Sequence, residues 1–167
     1  MALREILLYP NPLLKQVSSA VDDLNSAEFQ ELIADLTDTL DASPGCVGIA
    51  APQIAYQKRV VLIDASRNRK PVPNNGRLLL INPLIIRSEG SVLGREGCLS
   101  LPHLTANVSR AQEIMLQYSD LEGRLRELVS QEFEARVIQH EMDHLDGLLF
   151  LDRVSSLKTD VFRRKRY

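Results

Sequence analysis

The chain has 167 residues, with 20 Lys and Arg against 22 Asp and Glu, a net charge of −2, 44% apolar and 25% charged residues. This length suits a single domain over residues 1–167, and the composition excludes a disordered chain. The near-neutral charge excludes an overall pull toward nucleic acid or an anionic membrane. No apolar run exceeds four residues, whereas a membrane span needs about 20.

Two cysteines, Cys46 and Cys98, are too few for a disulfide framework. The opening Met1-Ala2-Leu3-Arg4-Glu5 carries an acid and no long apolar stretch. No signal or transit segment is therefore expected, and the expected compartment is reducing and cytoplasmic.

Tyr9-Pro10-Asn11-Pro12 predicts an extended or turn element, because a residue before proline avoids the helical region. A helix is expected over Ser26–Leu40, started by a capping box of Asn25 with Glu28. Phe29, Leu32, Ile33, Leu36 and Leu40 supply its apolar stripe, and Pro44-Gly45 stops it. Val60-Val61-Leu62-Ile63 reads as a buried strand, and residues 66–76 as an exposed loop. Leu78–Ile81 and Leu84–Ile86 read as a strand bent at Asn82-Pro83. Ile114, Leu116 and Tyr118 alternate with polar residues and pair, through the turn at Asp120–Gly123, with a return strand at Leu125–Val129. A second helix is expected from an N-cap at Ser130 to about Leu145, with Gly147 as its stop. The basic run Arg163-Arg164-Lys165-Arg166 reads as a solvated, frayed terminus. Strands in hairpins without regular alternation with helices predict an α+β fold.

The second helix contains His140-Glu141-Met142-Asp143-His144. Residues i and i+4 stand one turn apart on one face, so both imidazoles can reach one metal ion, with Glu141 beside a water on that ion. Phe133, Val137, His140, Glu141 and His144 form the apolar stripe of this helix, so the histidines point inward. Two buried histidines and a glutamate are costly without a partner, and a metal supplies one. A catalytic site of this kind needs a third protein ligand and an open position. Zinc proteases with this motif take it downstream, but Phe150 stands where the downstream His would be and no Glu follows Glu141. The ligand must then come from upstream, from Cys98, Cys46 or His103. Cys98 ranks first, because thiolate is a strong ligand for divalent iron or zinc and the segment Glu96–Pro102 is too rich in glycine and proline for a helix. Cys46 reads better as a small buried hydrophobe, and His103 as a surface residue.

Three segments in order, Gly48-Ile49-Ala50-Ala51-Pro52-Gln53, Glu96-Gly97-Cys98-Leu99-Ser100 and Gln139-His140-Glu141-Met142-Asp143-His144, resemble the peptide deformylases. The opening YPNPLL, the VVLID strand and the LINP turn extend the likeness over nearly the whole chain. The resemblance implies short antiparallel or mixed β-sheets packed around a central C-terminal metal-binding helix, with an N-terminal helix. It implies removal of the formyl group from the formyl-methionine of nascent polypeptides, releasing formate, with the ribosome as a possible setting. It also implies one Fe(II) per chain, with Ni, Co or Zn able to substitute, held by Cys98, His140 and His144. By the same resemblance Glu141 is the general acid/base, and Gln53 and the backbone N–H of Leu99 stabilise the oxyanion. Gly48, Ile49 and Gly97, with Phe133 and Val137 on the metal helix, are candidate walls of the substrate cleft.

Two positions depart from the family pattern. Cys46 stands where the first motif begins with Gly. Thr105 stands where familiar members carry an Arg, which predicts a weak dependence on a distant substrate carboxylate. Three other readings remain at this point: an endopeptidase, a cysteine hydrolase with Cys98 as nucleophile, and an inactive deformylase-like binding protein.

Overall fold

The computed structural model describes residues 3–165. Its first helix, α1 (Ala27–Asp41), is capped by Ser26, whose hydroxyl oxygen accepts from the Phe29 N–H at 3.1 Å. The cap is thus one residue later than the Asn25 expected. Asn25 instead donates its backbone N–H to Asp23, closing the preceding turn. Among the described residues eight strands follow in chain order: β1 (Gly48–Ala50), β2 (Val60–Asp64), β3 (Arg77–Glu89), β4 (Val92–Cys98), β5 (Leu101–Arg110), β6 (Glu113–Ser119), β7 (Leu125–Gln131) and, after helix α2 (Glu132–Leu145), β8 (Val161–Arg163).

The strands form two antiparallel sheets, ordered β1-β2-β3-β6-β7 and β4-β5-β8. The larger sheet is covered on both faces, which is why Val60–Ile63 is continuously apolar where a half-exposed strand would alternate. Val61 and Ile63 join Ala135, Ile138 and Leu145 of α2, with Leu80 and Leu116. Val60 and Leu62 join Phe29, Leu32, Leu36 and Leu40 of α1. The bend in β3 falls at Asn82, which has a positive φ of 51° and whose side chain holds both the N–H and the carbonyl of Val21. The ladder shifts register between Ile81 and Leu84.

Ser130 is not the cap of α2. The β6–β7 ladder runs through it to Gln131, and its hydroxyl donates to Glu134 at 2.7 Å. The helix therefore starts from the end of a strand, with Gln131 at the capping position and no side-chain cap. Gly147 does end the helix: its φ is 74°, and a Cβ there would strike the carbonyl of Lys15. The smaller sheet packs Cys98, Leu101, Ala106 and Val108 against Leu149 and Phe150. Helix α2 thus lies between the two sheets, with its apolar face on the larger one and its histidines toward the hairpin β4–β5.

The basic run beyond Phe162 is only in part the loose terminus expected. Arg163 pairs with Leu104, and the Arg164 N–H donates to the His103 carbonyl at 2.8 Å. Arg166 lies outside the described residues.

Candidate metal centre

Cys98 is the last residue of β4, where the register with β5 slips: Gly97 faces Thr105, but Cys98 faces Leu101. A slip of this kind re-aims a side chain, and here the thiol reaches α2. The ligand atoms of Cys98, His140 and His144 all lie within 4.8 Å of one another, and all three residues are buried. The Cys98 Sγ is 3.4 Å from the Nε2 of His144. His140 turns its Nδ1 to the Glu96 carboxylate at 2.8 Å, which leaves Nε2 for the cluster. Burial alone would lower the pKa of His140, but Cys98, Glu141 and Glu96 outweigh it and raise it. Burial lowers that of His144, and the neighbouring His140 lowers it further.

Glu96 is fixed in turn. Arg110 grips it with two hydrogen bonds, Nε to Oε2 at 2.8 Å and Nη2 to Oε1 at 2.9 Å, and the Arg136 Nη1 adds a third at 2.7 Å. Burial would raise the Glu96 carboxyl, but its bonds to Arg110 and His140 hold it far below the usual range. Arg110 continues to Asp143 at 2.6 Å, and Asp143 also holds Arg153. A chain of alternating charge therefore runs from His140 through Glu96 and Arg110 to Asp143.

Glu141 stands apart from the three ligands. Its Oε1 is buried without a hydrogen-bond partner and lies 4.0 Å from the His144 Nε2. Burial pushes its carboxyl up to about 7, in the range suited to proton transfer near neutrality. Gly48 makes room for it, because a Cβ there would come within 3.0 Å of the Glu141 Cγ and 2.9 Å of the Val137 Cγ1. Gln53, on the 3-10 turn Ala51–Ile54 after β1, accepts the Ala50 N–H through Oε1 and aims its Nε2 at the Ser100 hydroxyl (3.1 Å) and the Cys98 sulfur (3.6 Å).

Beside the cluster opens a cavity of about 230 Å³ whose walls include Gln53, Gly97, Leu99, Phe133, Val137 and Glu141, with Gly48 and His140. Ile49 is not among them; its side chain is fully buried in the α1 core. Cys46 lines the cavity but stays outside the ligand group. Its thiol donates to the Gly48 carbonyl at 3.0 Å, and burial pushes its pKa up to about 11. His103 is exposed on β5. Of the three upstream candidates, the fold thus brings only Cys98 to the histidines. Glu96, Arg110 and Arg136 were not singled out in the sequence. Their one signal was Glu96 in the segment that carries Cys98, and nothing local pairs it with residues 14 and 40 positions away.

The donor set fits a divalent ion. It offers one sulfur and two imidazole nitrogens and leaves the open position that a catalytic site keeps, with a buried, unpartnered carboxylate oxygen beside it. An arrangement of this kind defines a mononuclear metal-dependent hydrolase.

Residues 3–160 match the polypeptide deformylase family. The peptide deformylase of Thermodesulfovibrio yellowstonii is 38% identical over 99% of this chain and 97% of its own length. That of Xylella fastidiosa is 43% identical, over 99% and 95%. A Met-Ala-Ser-bound class I type b peptide deformylase from Acinetobacter baumannii superposes with a TM-score of 0.84 at 34% identity, covering 92% of this chain and all of the other. The Thermotoga maritima enzyme gives 0.83 at 29% identity, covering 93% of this chain and all of the other. The chain belongs to the polypeptide deformylase family. Among the described residues no helix is long and apolar enough to cross a membrane.

Proposed function

We propose that this chain is a single catalytic unit that hydrolyses the N-terminal formyl group of nascent formyl-methionyl polypeptides, releasing formate in the cytoplasm. The observation that carries the reading is the Cys98–His140–His144 group with the buried, unpartnered Glu141 Oε1 beside it. Cys98, His140 and His144 hold the metal. When bound, the metal supplies Lewis acidity, which polarises the formyl carbonyl and acidifies a water. Glu141 takes the proton of the attacking water and later delivers it to the leaving amine. The Gln53 Nε2 and the Leu99 N–H donate to the oxyanion as it develops, an interaction typically worth about 10²–10³ in rate for one donor. Glu96 holds His140 in the tautomer that presents Nε2. The side chain of the formylated residue enters beside Phe133 and Val137, in a cavity whose wall also includes Gly48, packed against Val137, and Gly97. A flexible methionine suits such an apolar wall. The Acinetobacter baumannii relative, solved with Met-Ala-Ser bound, supports a peptide beginning with Met as the ligand of this cleft.

Fe(II) is the metal this reading favours, with Ni, Co or Zn as substitutes, and nascent chains at the ribosome are its source of substrate. The test is formate release from formyl-Met-Ala-Ser by anaerobically purified protein, with and without chelator. Activity abolished by chelator and restored by Fe(II) or Ni(II) is expected, and an iron form that air inactivates within hours. Chelator-resistant formate release, with a reactive Cys98, would favour a cysteine hydrolase instead.

A further inference from the structure

The turn that joins β4 to β5 is Leu99-Ser100, two residues long, because the register slip sets Cys98 opposite Leu101. A serine that merely suits a turn faces water. Ser100 is instead 1% exposed and turns its hydroxyl to Gln53, 47 residues away in the chain.

The two ends of the Gln53 side chain are told apart by what they meet. The Ala50 N–H can only donate, so the atom 3.0 Å from it is the amide oxygen. The nitrogen at the other end carries two hydrogens. It lies 3.1 Å from the Ser100 hydroxyl oxygen and 3.6 Å from the Cys98 sulfur. Ser100 thus accepts one hydrogen and leaves the other aimed at the metal ligand. The last torsion of a glutamine is broad, so the single bond at Oε1 would hold the amide loosely, and the bond at Nε2 fixes its plane. The main chains are set as well. The Leu7 N–H donates to the Gln53 carbonyl at 2.8 Å and the Tyr9 N–H to the Ser100 carbonyl at 2.9 Å, so one short segment spaces the two residues.

We infer that Ser100 is a positioning residue: its hydroxyl holds the Gln53 amide so that one N–H is presented to the metal site. The inference rests on the deformylase reading for the oxyanion that this N–H meets, and on the 3.6 Å contact for its hold on Cys98. Ser100 touches no reacting atom itself and acts through Gln53. A hydrogen bond to a ligating sulfur draws charge from it, so the same N–H also tunes the ligand.

Two measurements test this. In the Ni(II)-loaded protein, Ser100→Ala should lower kcat for formyl-Met-Ala-Ser about three- to tenfold, the size of one hydrogen bond, and leave KM within about twofold, since the oxyanion belongs to the transition state. In a Gln53→Ala background the same substitution should change kcat by less than about twofold, because the partner through which it acts is gone. In the Co(II)-loaded protein, the sulfur-to-cobalt charge-transfer absorption should move to longer wavelength in Ser100→Ala, by less than in Gln53→Ala, and the double variant should match Gln53→Ala. The same kcat loss in both backgrounds, a change in KM alone, an unmoved absorption, or loss of the metal from Ser100→Ala would each overturn the inference and leave Ser100 a structural residue of the turn. Absence of formate release from the wild-type protein, with the absorption shifting as stated, would instead break the deformylase reading and leave Ser100 positioning Gln53 against Cys98.

Discussion

The two sides of this molecule are buried by different physics. Where α1 meets the larger sheet, Leu32, Leu36 and Leu40 close on Ile49, Val60 and Leu62, all at most 3% exposed, and apolar area removed from water stabilises the contact. Where α2 meets the hairpin β4–β5, the buried residues are Glu96, Arg110, His140, Glu141, Asp143 and His144. Taking such charges out of water carries a cost that their pairing at best offsets. The first side therefore supplies stability, and the second supplies position: each charge fixes the next, ending at the imidazole of His140. Substitutions on the two sides should accordingly fail in different ways.

The largest effect is expected at Cys98. Cys98→Ala should lose most of the roughly one metal per chain that a mononuclear site holds, and with it nearly all formate release, as metal analysis and turnover would show together. Glu141→Gln comes next. It should fold and keep its metal while turnover falls at least about 10²-fold, the lower range for lost acid–base catalysis; metal loss in this variant would assign Glu141 a ligand role instead. Glu96→Gln touches no ligand atom directly, and metal titration should find its affinity about 10–100-fold weaker, as for other lost partners of ligating histidines. The smallest effect on chemistry belongs to the other side of the molecule. Leu36→Ala should cost about 2–5 kcal/mol in denaturant unfolding, yet leave turnover per bound metal unchanged. A drop in that ratio would show that the two sides are coupled.

The same division governs what the sequence makes legible. The α1 stripe, the Val60–Ile63 strand, the Leu125–Val129 return and the inward-facing histidines are all written in local periodicity, because apolar burial repeats at 3.6 or 2 residues. The third ligand was readable because few upstream residues could serve. The hairpin of β4 and β5 was not, since Val92–Cys98 carries two glycines and its buried positions are filled by Glu96 and Cys98 in place of an apolar alternation. Nor were the partners of Glu96: an ion pair across 14 residues and another across 40 leave no periodic trace. Ser130 misled for a related reason, since a serine before a helix caps it only if the preceding strand has already ended, and here the β6–β7 ladder continues.

The claim on which the account turns is that the buried charges hold a metal by one sulfur and two histidines. Zinc K-edge X-ray absorption on the zinc-loaded protein measures this directly. The account expects one sulfur at about 2.3 Å and two imidazole nitrogens at about 2.0–2.1 Å, the distances these ligands take on zinc. A first shell without sulfur, or with a single imidazole, would contradict it.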